Sequence, residues 1–259
     1  MRIAVCIKPA PDTTARIKVH KDGARIDPDG VKFNLGPYDS RAISRALALR
    51  GAPSATNEVV AIAAGASTGE GEGKKRLKDA LALGCDRGVF VADTAPENRD
   101  PLTVAKALVA AIKSLGQTDL VFCGRQAVDD QALSVGPMIA TLMGLPCVTD
   151  AVSCEVTGGK ATVKRMAEGR VEVLEVTLPA VITGQRDLGE EQYPKLKEIL
   201  AAAKKPIVDF KFDWPAASYT VTGLTPPPEP VAGKIVGEGP DAVPKLFELL
   251  QREAKVLSF

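Results

Sequence analysis

The sequence predicts a doubly wound, mostly parallel α/β sheet of the Rossmann-like kind, with an antiparallel extension and a C-terminal arm. Two patterns carry this expectation. Over the first 144 residues, short runs that are apolar throughout alternate with stretches whose apolar positions fall at helical spacing. After residue 145 the chain changes to strict apolar/polar alternation. Strands apolar on both faces and separated by helices imply βαβ crossovers and a parallel sheet covered on both sides.

"RIAVCIK" (2–8), closed by "PAPDT", reads as a first buried strand. "PYDSRAISRALALRG" (37–51) is a helix ending on glycine, "EVVAIAA" (58–64) a strand and "GKKRLKDALALG" (73–84) a helix. "RGVFVAD" (87–93), "PLTVAKALVAAIKSLG" (101–116), "DLVFCG" (119–124) and "QALSVGPMIATLMG" (131–144) repeat the alternation. Residues 145–184, with "TGGK" and "AEGR" as tight turns, predict an antiparallel meander. Together, residues 1–189 are expected to form one α/β domain. "EEQYPKLKEILAAAKKP" (190–206) is an exposed turn or a helix with a basic end, and residues 207–259 form an arm. Within that arm, 220–241 is too rich in Pro and Gly to be a packed element, and 242–257 is an amphipathic helix. The apolar stripe of that helix covers either its own sheet or a partner subunit.

A chain of 259 residues with 45% apolar content can bury a sizeable core. Its 33 basic and 32 acidic residues leave a net charge of +1 and no Lys/Arg block, which argues against nucleic acid as a partner. Apolar runs fall well short of the roughly 20 residues a bilayer span needs, so no membrane insertion and a cytoplasmic location are expected. Five cysteines without a CxxC pair read as reduced thiols. The single histidine, His20, lies among charged residues, which leaves no metal-ligand cluster and no Ser/His or Cys/His pair to propose.

In a doubly wound sheet, ligands sit at the carboxyl ends of the strands, where helix N-termini present free N–H groups. Two turns here have suitable chemistry. In "AAGASTGEGEGKK" (63–75) small residues let backbone amides approach an anion, and Ser67 and Thr68 add hydroxyls; a merely flexible turn reads the same way. In "GRQAVDDQALSVGP" (124–137) either Asp129 or Asp130 suits a helix N-cap, and the second carboxylate is then free to accept from ribose hydroxyls. Neither a paired-histidine motif nor an "SGGxDS"-like loop is present to stabilise a leaving pyrophosphate. The nucleotide is therefore expected to be held rather than turned over.

At "VCIKPAPDT", "PYDSRAI", "ALALGCDRGVFV", "CGRQAVDD…VGP" and "VTLPAVITG" followed by "YPKLKEILAAAKKP", the chain resembles the β subunit of electron transfer flavoprotein, including its electron-bifurcating and nitrogen-fixation relatives. The resemblance implies an electron-transfer subunit without substrate chemistry of its own. It implies a heterodimer with an α subunit, an electron-carrying FAD shared with that subunit, and a buried AMP, or a second FAD, in this chain. The nucleotide site would use Cys6, Pro37, Tyr38 and Asp39, then Ala64 and Gly65, and the stretch Arg125 to Val135. Within that stretch Arg125, Gln126, Ala127, Asp129, Asp130, Ser134 and Val135 are the candidates. Asp130 would hold ribose, and Ser134 with its neighbouring amides would face phosphate.

Relatives that bind AMP read Asn-Gln-Thr where this chain has Leu133, Ser134 and Val135, which favours FAD over AMP. A docking segment for acyl-CoA dehydrogenase-type partners falls on residues 192–201, with Tyr193 beside it and Leu196 as the anchor. Leu196 also fits an ordinary core position of a short helix. The alternative from another class is a stress- or sensor-type module that binds adenine nucleotide without redox chemistry.

Overall fold

The computed structural model describes residues 1–66, 71–94, 99–229 and 232–257. β1 (Arg2–Ile7) is buried from Ile3 onward, as its unbroken apolar run requires. β2 (Pro9–Pro11) and β3 (Phe33–Leu35) form a small antiparallel pair. α1 (Pro37–Arg50) opens on a proline, whose missing N–H would have been unpaired in any case. β4 (Glu58–Ala66) leads to α2 (Glu72–Leu83), near whose end Lys205 Nζ donates to the carbonyls of Leu81 (2.9 Å) and Cys85 (2.7 Å). β5 (Arg87–Asp93) is followed by α3 (Pro101–Ser114), capped by Asp100, which accepts from the Thr103 N–H at 2.8 Å. β6 (Leu120–Gly124) is followed by α4 (Val135–Met143), which stops at Gly144 in the left-handed region.

β7 (Cys147–Thr157), β8 (Lys160–Ala167) and β9 (Arg170–Thr177) form the antiparallel extension. Their turns place Gly158 (φ 59°), Gly159 (φ 77°), Glu168 (φ 36°) and Gly169 (φ 80°) in the left-handed region, as tight two-residue hairpin turns demand. β10 (Ala180–Gly184), α5 (Leu196–Ala202), β11 (Ile207–Lys211) and α6 (Val243–Arg252) complete the elements.

The main sheet has the order β11-β5-β4-β1-β6-β10-β7-β8-β9 and is parallel from β11 to β7. Ile43 of α1 and Leu77 and Leu81 of α2 pack in the core on one face, and Leu108 and Ile112 of α3 and Ile139 of α4 in the core on the other. The doubly wound reading therefore holds. β1 lies between β4 and β6, so the chain reverses its direction of travel across the sheet at the carboxyl ends of β1 and β6, where a crevice opens.

Four expectations change. The meander ends at Thr177: Ala180–Gly184, buried at every position, inserts parallel between β6 and β7. Residues 207–211 form an edge strand parallel to β5, and residues up to Leu224 belong to the main unit, so the arm begins at Thr225 rather than at 207. The fourth helix starts at Val135 instead of 131, because Gln131 (φ 47°) and Leu133 (φ 54°) adopt left-handed conformations that no right-handed helix contains. The final helix spans 243–252, shorter than the 242–257 expected, and its Val243, Leu246 and Phe247 are exposed.

Gly189 is extended (φ −148°), a backbone any residue adopts, but a Cβ there would lie 2.5 Å from the Arg41 carbonyl oxygen and 3.1 Å from the Arg45 nitrogen. Gly189→Ala is expected to cost about 1–3 kcal/mol. Gly223→Ala, with open space around it, is expected to stay within about 0.5 kcal/mol of wild type. Urea denaturation of both variants checks the pair.

Candidate functional site

A cleft of about 680 Å³ lies at the carboxyl ends of β1 and β6. Of the residues singled out in the sequence, Cys6, Asp39, Ala64 and Gly65 line its base. Arg125, Gln126, Ala127, Asp130, Ser134 and Val135 line the side formed by the β6–α4 connection. Pro37, Tyr38 and Asp129 stand outside the lining. Pro37 and Tyr38 form the first turn of α1, and Asp129 acts through a lysine described below. Ser67 and Thr68 lie outside the described residues.

Asp39 joins three segments. Its Oδ2 accepts from the Lys8 N–H at 2.9 Å and its Oδ1 from the Gly124 N–H at 3.1 Å. Gly124 makes this possible, since a Cβ there would sit 2.8 Å from Tyr38 Cβ and 3.0 Å from the Asp39 nitrogen. Burial raises the Asp39 pKa to about 7, although both backbone donors and the Lys8 charge oppose the shift.

Lys8 is the residue sequence reasoning missed. Its Nζ donates to Asp129 Oδ1 (2.9 Å) and Asp130 Oδ2 (2.8 Å). Burial alone would lower the Lys8 pKa, but the two carboxylates outweigh it and hold the pKa above its ordinary value. Neither aspartate caps α4: the cap position is Ser134, whose side chain makes no capping bond. Instead Asp129 Oδ1 accepts from the Asp130 N–H (3.0 Å) and Asp130 Oδ1 from the Ala132 N–H (3.2 Å), shaping the turn that leads to the helix. The N–H groups of Val135 and Gly136 at the helix start have no intrahelical acceptor, and both residues line the cleft.

The far end of the cleft was also absent from the expectations. Asp93, 1% exposed, accepts a bidentate pair from Arg99 (2.8 and 2.9 Å). Arg99 in turn lies over the Trp214 ring at 5.0 Å from its centre. Trp214 Nε1 donates to the Ala92 carbonyl (2.8 Å) and the Ser218 N–H to Asp100 (2.6 Å), which fixes the 212–218 segment beside the cleft. Tyr219 and Val221 extend the same wall. An Arg between an acidic strand end and helix 101–114 was the available signal; the distant tryptophan gave none.

Each cation lining the cleft has a carboxylate partner: Lys8 as above, Arg99 with Asp93, and Arg125 with Asp150. Arg125 meets Asp150 through Nε, so its terminal N–H groups, the backbone amides and Ser134 are the donors that could meet an anionic ligand. Cys6 and Cys123 face each other on β1 and β6. The neighbouring Cys6 thiol and burial push the Cys123 pKa well up, so Cys123 stays a neutral thiol and no activated nucleophile. Among the described residues no group of three or more His, Cys, Asp or Glu side chains could hold a metal ion, and no helix is long and apolar enough to cross a membrane.

Away from the cleft, Tyr193 (78% exposed) and Leu196 (72% exposed) project at the start of α5, and the core reading of Leu196 fails. The Lys195 N–H donates to the Glu198 carboxylate at 2.6 Å and the Glu198 N–H to the Lys195 carbonyl at 2.9 Å, which closes the first turn.

Residues 24–214 match the family model described as electron transfer flavoprotein domain. The chain is 35% identical to the electron transfer flavoprotein subunit beta of Syntrophomonas wolfei, covering 99% of this chain and 98% of that one. It is 31% identical to the protein of the same name from Bacillus subtilis (99% and 100% covered) and 33% to that of Sus scrofa (96% and 98%).

Asp39 generates a pH test. The folded protein holds the Asp39 proton to about pH 7, whereas the unfolded chain releases it near 3.8. Between those values the folded state binds more protons, so this group makes stability fall as pH rises. Asp39→Asn removes that slope and turns an amide donor toward one of the two N–H groups, at a cost of about 1–3 kcal/mol. Denaturation at a series of pH values is expected to show the variant less stable, with the gap narrowing from about pH 4 to pH 7.

Proposed function

The chain belongs to the electron transfer flavoprotein β-subunit family, and from that premise we propose that it pairs with an α subunit, helps shape the site of an FAD shared with that subunit, and serves acyl-CoA dehydrogenase-type partners. The observation that carries the reading is the union of two features on one fold. One is a cleft at the switch point that offers amides, a hydroxyl and a ribose acceptor; the other is an exposed, capped helix start presenting Leu196. A sensor module would need the first feature alone.

The flavin supplies the redox chemistry. This chain's own residues bind and orient. Asp130 accepts from ribose, while Ser134 and the amides at the start of α4 take phosphate. Gly136, where a Cβ would run into the Thr183 side chain, lets the start of α4 lie close against the sheet. The cleft holds a second FAD in preference to AMP. Leu133 and Val135 offer no polar group to a monophosphate, and the lining continues past Asp130 to Arg99, Trp214 and Tyr219, which suit a flat ring system.

Co-purification with the α subunit, followed by denaturation and counting of released nucleotides, tests this. Two FAD and no AMP per heterodimer is the expected result; one of each would reassign the cleft to AMP. A colourless complex carrying adenine nucleotide alone would overturn the redox reading. Leu196→Ala, the loss of one apolar anchor worth about 2 kcal/mol, is expected to lower kcat/KM for electron delivery from an acyl-CoA dehydrogenase about 30-fold. Flavin content should not change.

A further inference from the structure

The segment from Gln126 to Leu133 roofs one side of the cleft, and its polar bonds are mostly internal. The Gln131 N–H donates to the Ala127 carbonyl (3.1 Å), Asp130 N–H to Asp129, and Ala132 N–H to Asp130. Among the described residues, the side-chain bonds that tie this segment to another part of the fold are the two from Lys8, at the end of β1 and more than a hundred residues away in sequence. The segment also holds two non-glycine residues in the left-handed region, Gln131 and Leu133. Such residues cost on the order of 1–2 kcal/mol each and persist only where other interactions impose them.

Charge points the same way. Asp39 accepts from the Lys8 N–H, Asp129 and Asp130 from its Nζ, and Asp129 raises the Asp39 pKa, so three carboxylates gather around one residue. The cation among them is Lys8.

We propose that Lys8 is a positioning residue: by bridging Asp129 and Asp130 it holds the 126–133 segment over the bound nucleotide, aims Asp130 into the cleft, and sets how slowly the nucleotide leaves. The retention role rests on the nucleotide reading above; the clamp itself does not. Lys8 is 44% exposed and its partners 27% and 50%, so the bridge is open to salt and weakens as ionic strength rises. Release in the wild type is therefore salt-accelerated.

The test uses the full heterodimer, loaded as purified and chased with excess FAD and AMP. Lys8→Met is expected to release its cleft nucleotide at least tenfold faster and to lose the salt acceleration. Lys8→Arg, which keeps a cation that reaches both carboxylates, is expected to restore both properties. Asp129→Asn, which weakens the bridge from the other side, should also speed release. A Lys8→Met protein with wild-type release and wild-type salt dependence would overturn the proposal. Should the wild type carry no nucleotide beyond the shared FAD, the nucleotide reading fails, and amide exchange of residues 126–133 then decides the clamp. A rise of tenfold or more in Lys8→Met supports it, and unchanged exchange sinks it.

Discussion

A single buried carboxylate fixes the geometry on which the cleft depends. Asp39 sits in the first turn of α1 and accepts from main-chain N–H groups just beyond β1 and at the end of β6, so helix and strands are bound at one point. Side-chain repacking alone could not do this, because the bonds run to backbone and set the positions of two chain segments directly. The arrangement demands that Gly124 lack a side chain and that burial be tolerated by a group whose charge burial disfavours. The residue whose N–H Asp39 holds, Lys8, sends its side chain across to Asp129 and Asp130 in the β6–α4 connection.

Most of the sheet was readable because its strands are unbroken apolar runs and its helices carry clear stops. Gly51, Gly84 and Gly144 lie just past three helix ends, and Pro37 and Pro101 open two helix starts. What escaped is non-local. The insertion of β10 between β6 and β7 cannot be inferred from a run that follows three antiparallel strands, since pairing choice leaves no mark in the strand itself. β11 is five residues with no strict alternation, and β2 carries two prolines, which argue against a strand unless it lies at an edge.

The fold brings most of the residues carried over from the family resemblance together around one cleft, but two of their neighbours did not show. Lys8 was in plain view within "VCIKPAPDT", yet its meaning depends on carboxylates that the fold brings to it. Trp214 stands in a stretch read as an arm and reaches the site through a bond to Ala92. The aspartates at 129 and 130 were weighed as helix caps because caps are common; the left-handed Gln131 and Leu133, which separate them from α4, have no signature in their side chains.

α5 is only seven residues long, too short to persist as an isolated helix in water, and it owes its order to packing on α2 and to the Glu198 carboxylate that accepts from the Lys195 N–H. Yet only Ala202 within it is buried. The fold therefore spends almost none of this helix's sequence on its own stability. On the docking reading proposed above, its outward residues are free to drift with a changing set of partners, while the sheet and its cleft stay under separate constraint. Recognition and ligand holding can diverge independently in descendants of this chain.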